Sequence, residues 1–187
     1  LTAYQDRSNN KLEYFTLKNC VNLYEANFEA ARLDYGFELS QCPKLERLYL
    51  GYQRSANVTI ENLPMLYELD VRGNGNESYL AKLYVNNCPN LYRIYARDNN
   101  YTLTDIIVEN CTRSDLNIDL NYDYALSNIQ LSGLGMTQSR MNDVLNYVYN
   151  YSPNNAGYIT FEDNVNNYKP SESNVTQLIN KGWTIVY

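Results

Sequence analysis

The sequence predicts a solenoid of the α/β class that is mostly β, with two short parallel strands in each coil and a C-terminal helix-strand-helix-strand cap. Three observations favour this fold class. Short segments in which apolar and polar residues alternate recur along the first two-thirds of the chain, at intervals of about 22 residues. Turn-forming Asn, Asp and Gly residues separate these segments. After residue 134 the apolar residues follow a helical period instead.

The first set of predicted strands leads into a recurrent apolar position. The last apolar residue of each strand lies three residues before a Cys in four coils and before a Leu in two. Successive positions are 21 to 25 residues apart, which sets the length of a coil. The strands are predicted at 15–17, 37–39, 58–60, 83–85, 106–108 and 129–131, and the recurrent positions are Cys20, Cys42, Leu63, Cys88, Cys111 and Leu134.

The second set of predicted strands lies between these positions. The same alternation over three residues indicates strands with one face turned inward. In four of the five coils a Leu precedes the first apolar residue by three positions. These strands are predicted at 26–28, 48–50, 69–71, 94–96 and 118–120, and the preceding residues are Leu23, Leu45, Leu66 and Leu91.

The spacing L-x-x-L-x-L-x-x-(N/C) is the signature of leucine-rich repeats, and residues 66–74 and 80–88 match it fully. The sequence resembles the irregular leucine-rich-repeat proteins of bacterial surfaces over residues 1–134, although Phe, Tyr and Ala occupy some Leu positions. This resemblance implies a right-handed coil. Because residues 1–10 align with residues 91–100, we expect the N-terminal end of the solenoid to be incomplete.

Residues 135–187 are predicted to form the C-terminal cap of the same domain. A first helix begins after Thr137 and buries one apolar stripe, and a strand follows at 158–161. A second helix, capped by Ser171 or Ser173, ends before Gly182, and a last strand covers 183–187. This ending is similar to the cap of the same bacterial proteins. The predicted stripes are Met141, Val144, Leu145 and Val148 in the first helix and Val175, Leu178 and Ile179 in the second.

Composition excludes several functions. The chain has no His, so Ser-His and Cys-His nucleophile pairs cannot exist. A net charge of −6 gives no electrostatic footprint for nucleic acid or an anionic membrane. No apolar run has the roughly 18 residues that a membrane span requires. We predict no cofactor, because neither a phosphate-binding loop nor the ligand spacing of an EF-hand is present.

The four Cys residues share one position of the coil, which Leu fills elsewhere. A position that accepts Leu selects an apolar side chain, so we predict buried free thiols. Neighbouring Cys residues one coil apart also approach the distance of a disulfide, and a metal site is the least favoured alternative.

The outward face of the second strand set is the candidate binding surface. In register, Glu25, Arg47, Glu68 and Arg93 form a column in which the sign of the charge alternates. Tyr fills two of the four positions in one flanking column and three of the four in the other. One interpretation is support between coils by ion pairs and aromatic pairs; the other is recognition of a ligand. The candidate residues are Tyr24, Glu25, Arg47, Tyr49, Tyr67, Glu68, Asp70, Tyr92, Arg93 and Tyr95.

The resemblance implies a non-catalytic binding module that mediates protein-protein interaction or adhesion at a bacterial cell surface or in the extracellular space. A glycan-binding surface protein that uses the same tyrosines is the first alternative. The second is a parallel β-helix enzyme acting on polysaccharide, which needs a third strand in each coil and a cluster of charged residues. The 21 acidic residues single out no carboxylate pair for such chemistry.

Overall fold

The computed structural model describes residues 14–29, 33, 36–73, 75, 78–152 and 156–187. The expected alignment of residues 1–10 with 91–100 lies outside them, as does Asn74 of the motif at 66–74. The elements in chain order are β1 (Phe15–Lys18), β2 (Glu25–Asn27), β3 (Phe37–Ser40), β4 (Arg47–Tyr49), β5 (Asn57–Glu61), β6 (Glu68–Asp70), β7 (Lys82–Asn86), β8 (Arg93–Tyr95), β9 (Asp105–Glu109), β10 (Asn117–Asp119), β11 (Asn128–Ser132), α1 (Gln138–Tyr151), β12 (Tyr158–Thr160), α2 (Glu172–Ile179) and β13 (Thr184–Val186).

The strands up to β11 alternate between two sides of the molecule. On one side a five-stranded sheet has the order β10-β8-β6-β4-β2. On the other, β1 pairs with β3, and a six-stranded sheet has the order β13-β12-β11-β9-β7-β5. Every pairing between these strands is parallel. The described chain is therefore mostly parallel β-sheet with two helices. Its strands lie within one residue of the positions that the alternation predicts, and all five strands of the second set begin and end one residue earlier.

The register of the five-stranded sheet stacks like residues on like. Ala26 is the Cα partner of Leu48, Leu48 of Leu69, Leu69 of Ile94, and Ile94 of Ile118. All five side chains are buried between the two sides of the molecule. Because neighbouring parallel strands lie about 4.8 Å apart, each of these side chains contacts its counterpart on the next strand.

The recurrent apolar position lies in this interior, as predicted, for Cys42, Leu63, Cys88, Cys111 and Leu134. All four thiols are free. Cys20 is the exception, because it packs against the core but is only half-buried. The prediction that all four thiols are buried is therefore wrong for Cys20. Its turn follows β1, which among the described residues pairs with β3 alone, so one neighbouring strand covers it instead of two.

A left-handed residue immediately precedes each recurrent position. The φ angles of these residues lie between 53° and 62°, a region where Asn and Gly cost least. This explains why Asn or Gly stands there in five of the six cases. The residues are Asn19, Gln41, Asn62, Asn87, Asn110 and Gly133.

The C-terminal region extends the six-stranded sheet by two strands, and its two helices pack against each other, with α1 against β10 and α2 against β13. β12 pairs with β11, and β13 pairs with β12. Helix α1 begins after Thr137, whose hydroxyl accepts a hydrogen bond from Arg140 N at 3.4 Å, and its predicted stripe is buried. Helix α2 follows Ser171, whose side chain makes no capping hydrogen bond.

The predicted buried stripe of α2 is wrong at one residue. Val175 and Leu178 are buried, but Ile179 is 52 % exposed. The helix has only eight residues, and its contacts lie on the side that faces α1 and β13. Ile179 lies about 100° around the axis from Leu178, beyond that contact. Neither described helix has the length and hydropathy needed to cross a membrane.

Candidate binding surface

The predicted charge column exists on the outward face of the five-stranded sheet. Glu25 is the Cα partner of Arg47, Arg47 of Glu68, and Glu68 of Arg93, so opposite charges alternate from strand to strand. The Arg47 Nη1 atom lies 3.7 Å from Glu25 Oε2, and both side chains are about half exposed. Exposed pairs of this kind contribute roughly 0–1 kcal/mol, so this end of the column supports the sheet only weakly.

Arg93 interacts with tyrosines. Its Nη1 atom donates a hydrogen bond of 2.7 Å to the Tyr95 hydroxyl. The guanidinium carbon lies 5.0 Å from the centroid of the Tyr92 ring and 5.4 Å from that of Tyr95. These are cation–π distances on both sides. The hydrogen bond that Arg93 donates to Tyr95 raises the pKa of Arg93, so the guanidinium stays charged beside these two rings. It lies on β8, next to the edge strand β10 of the five-stranded sheet.

Tyr67 and Tyr92 form an aromatic pair beside this cation. Their ring centroids are 5.1 Å apart and the ring planes differ by 26°. Arg113, from the turn before β10, lies 5.5 Å from the Tyr67 centroid and 5.3 Å from that of Tyr92. The two rings therefore stack on each other and also share a second guanidinium.

Tyr95 contacts two further arginines. The guanidinium carbons of Arg72 and Arg97 lie 5.5 Å and 5.9 Å from its centroid. Together these contacts make one continuous patch of rings and guanidinium groups. We call it the tyrosine–arginine surface, and it consists of Tyr67, Arg72, Tyr92, Arg93, Tyr95, Arg97 and Arg113.

Asp70 does not lie on the exposed face, so its predicted exposure is wrong. It is 3 % exposed. Arg72 Nε donates to both carboxylate oxygens, at 2.8 Å and 3.0 Å, and Arg72 Nη2 donates to Oδ2. The Arg72 backbone N–H donates to Oδ1 at 3.0 Å as well. The carboxylate is covered because the following arginine folds back over it, and this pairing raises the pKa of Arg72.

The remaining predicted residues, apart from Glu68 on β6, lie on or next to β2 and β4, away from the tyrosine–arginine surface. Tyr24 is 54 % exposed, and the Lys44 ammonium lies 5.8 Å from its ring centroid. Tyr49 is half-buried. Burial and the neighbouring Glu68 carboxylate raise the pKa of Tyr49 to about 12, since both disfavour the phenolate. Glu68 thus faces a tyrosine on one side and Arg93 on the other.

Three arginines of the surface were missed from the sequence. Arg72 and Arg97 stand two residues after Asp70 and Tyr95, so extending the alternation beyond each strand would have found them. A Cβ at Gly51 would lie 3.3 Å from Arg72 Cγ, so the glycine on the neighbouring turn leaves room for the arginine stem. Arg113 carries no such signal, because its contact with Tyr67 depends on how the turn before β10 folds.

The arginines differ in how their charge is balanced. Arg72 pairs with Asp70, Arg97 lies 3.6 Å from Asp98 and 3.8 Å from Asp119, and Arg113 Nε donates to Asp115 Oδ1 at 2.5 Å. Within the described part of the chain, Arg93 has no carboxylate oxygen within 4.0 Å. An acceptor that reaches the N–H groups of Arg93 therefore competes with the Tyr95 hydroxyl and not with a carboxylate of the described residues.

The surface combines flat apolar rings with planar cations, which suits stacking and directed hydrogen bonds. No group of His, Cys, Asp and Glu residues that could hold a metal ion occurs in the described ranges. No family model matches the sequence, and neither a curated protein nor a solved structure matches it.

Proposed function

We propose that the chain is a right-handed leucine-rich-repeat solenoid, closed by a C-terminal cap, that acts as a non-catalytic binding module. It mediates protein-protein interaction or adhesion at a bacterial cell surface or in the extracellular space. The in-register stacking of parallel strands and the motifs at 66–74 and 80–88 support the fold. The localisation rests on the resemblance of those motifs.

One observation carries the binding role. Arg93, on β8 of the five-stranded sheet, contacts the rings of Tyr92 and Tyr95 and has no carboxylate partner among the described residues. Tyr and Arg are enriched at the energetic centres of protein interfaces, where rigid rings and a pre-oriented guanidinium lose little entropy on binding. A protein partner that offers carboxylate or backbone carbonyl oxygens could accept hydrogen bonds from Arg93 while it packs on the two rings.

A glycan ligand is the second candidate. Tyr67 is 37 % exposed, and its ring stacks on that of Tyr92 with the two planes 26° apart. An exposed pair of this kind offers an apolar face to a sugar ring while the phenolic hydroxyls remain available to sugar hydroxyls.

Binding of the purified chain to an array of purified cell-surface and extracellular proteins, and in parallel to a glycan array, tests both candidates. For a protein ligand, Arg93→Ala and Tyr92→Ala are expected to weaken binding about 30-fold each, which is typical of residues at the centre of an interface. For a glycan ligand, Tyr67→Ala and Tyr92→Ala are expected to abolish binding, whereas Arg93→Ala leaves it within a few-fold.

The chain contains a matched control. Arg54 lies 5.6 Å from the centroid of the exposed Tyr79 ring, which makes the same kind of contact outside the tyrosine–arginine surface. Tyr79→Ala is expected to change affinity by about 2-fold or less. Full binding by Arg93→Ala and Tyr92→Ala together, to every ligand on both arrays, would rule out this surface as the site.

A further inference from the structure

The recurrent apolar position brings the four cysteines together as two neighbouring pairs. Cys20 precedes Cys42 by one position, Cys88 precedes Cys111 by one, and Leu63 separates the pairs. In both pairs the two cysteines follow strands that pair in parallel, β1 with β3 and β7 with β9. The two pairs therefore have the same chemistry and the same place relative to their strands.

The backbone holds Cys20 and Cys42 in equivalent turns on adjacent strands. Lys18 and Ser40 are Cα partners, and the residues before the two cysteines have φ angles of 57° and 54°. The Asn19 N–H donates to Ser40 O at 3.2 Å, which keeps the turns in register. Adjacent strands lie about 4.8 Å apart, inside the range of roughly 4.4–6.8 Å that Cα atoms of a disulfide span.

The two pairs differ in how far a reagent in solution can reach their thiols. Cys20 is half-buried, and its thiol contacts Lys18 O at 3.6 Å on the exposed side of the turn. Cys42, in the equivalent turn after β3, is buried. Cys88 and Cys111 are both completely buried. Because thiol–disulfide exchange requires an attacking sulfur that the reagent can reach, only the first pair has an entry point.

We propose that Cys20 and Cys42 form an oxidisable pair, which low-molecular-weight disulfides convert into a disulfide between adjacent turns, whereas Cys88 and Cys111 remain thiols. The Cys20 thiolate attacks one sulfur of the reagent, forms a mixed disulfide and releases the first reagent thiolate. The Cys42 thiolate then attacks the Cys20 sulfur and releases the second. The reagent disulfide takes up two electrons, and the two thiol protons pass to the released thiolates.

The bond would link β1 and β3, which lie on the side of the molecule opposite the five-stranded sheet. Among the described residues, β1 and β3 form a two-stranded sheet that is not paired with β5. A link between Cys20 and Cys42 closes a loop that contains β2 and ties β1 to β3 covalently. The proposal is independent of any ligand for the tyrosine–arginine surface.

The test is to incubate the folded chain with oxidised glutathione, quench it with acid, and count thiols in denaturant with a chromogenic disulfide reagent. The count is expected to fall from four to two, and peptide mapping is expected to find one link, between Cys20 and Cys42. Cys20→Ala removes the half-exposed sulfur and is expected to keep all three of its thiols. The matched variant Cys111→Ala is expected to fall from three thiols to one.

Three results would overturn the proposal. One is a full count of four thiols after oxidation. Another is a link between Cys88 and Cys111 or between two chains. The third is a product that stops at glutathione on Cys20, which would mean that Cys42 does not reach the mixed disulfide.

Discussion

Asn99 and Asp123 are polar side chains that are completely buried in the turns after β8 and β10. The Asn99 amide donates to Ala96 O at 2.5 Å and accepts from the Ser78 hydroxyl at 2.5 Å, so its side chain is satisfied. The Asn99 backbone N–H donates to Asp123 Oδ1 at 2.9 Å. The Asp123 Oδ2 atom has no hydrogen-bond partner. A buried carboxylate with one bare oxygen favours the protonated form.

Asp123 is expected to make the chain less stable as the pH rises. Burial raises its pKa well above the usual value, and the Asp98 and Asp119 carboxylates add to the effect. The folded state then binds a proton that the unfolded state releases, so this stabilisation is complete below the unfolded pKa, near 4, and is lost as pH rises through the folded pKa. Asp123→Asn keeps an acceptor for Asn99 N–H and removes the charge.

Urea unfolding of the native chain and of the Asp123→Asn variant across pH 4–8 measures how Asp123 makes the free energy of unfolding depend on pH. The advantage of the variant in free energy of unfolding is expected to grow with pH and to level off above the folded pKa of Asp123. Glu61→Gln, on an exposed position of β5, is expected to show no such trend. A constant difference between native chain and Asp123→Asn at every pH would contradict the account.

At the scale of elements, the passage from β11 to α1 depends on a close backbone approach. A Cβ at Gly135 would lie 2.0 Å from the Thr112 carbonyl oxygen. That oxygen belongs to the backbone of the neighbouring turn, so it cannot move aside as a flexible side chain can. The C-terminal helices are thus joined to the sheets through a contact that excludes any side chain.

Gly135→Ala is therefore expected to lower the free energy of unfolding by about 2 kcal/mol or more, as overpacking of a buried backbone contact does. Gly51→Ala is the matched control, because its Cβ would meet the Arg72 side chain at 3.3 Å, which can yield by a few tenths of an ångström. The free energy of unfolding of Gly51→Ala is expected to fall by less than about 1 kcal/mol. Equal losses in denaturant unfolding would refute the proposed contact.

The local spacing of apolar residues predicts the strands and α1, because a few neighbouring residues are enough to show which face of each element is buried. It places Leu48, Leu69 and Ile94 in the interior without knowledge of the partner strands. It misplaces Ile179, because the width of the buried stripe on a short helix is set by the elements packed against it. It also misses the exposure of Cys20, which depends on whether a strand lies on one side of β1 or on both.

At the scale of the whole molecule, the register decides which side chains meet. Tyr67 and Tyr92 are 25 residues apart in the chain, yet their rings stack because β6 and β8 pair in register. The column that contains these two tyrosines could therefore be predicted by aligning the successive repeats of the sequence. The contact by which Arg72 covers Asp70 and the contact of Arg113 with Tyr67 could not be predicted in this way. Both depend on how turns of unequal length fold back over the sheet.

The register of the five-stranded sheet is the claim on which the tyrosine–arginine surface depends, and methyl–methyl nuclear Overhauser effects measure it directly. Cross-peaks are expected between Leu48 and Leu69, between Leu69 and Ile94, and between Ile94 and Ile118, which are partners on strands about 4.8 Å apart. Leu48 and Ile94, separated by two strand spacings, are expected to show none. A spectrum that lacks the three cross-peaks, or that joins Leu48 directly to Ile94, would contradict the account.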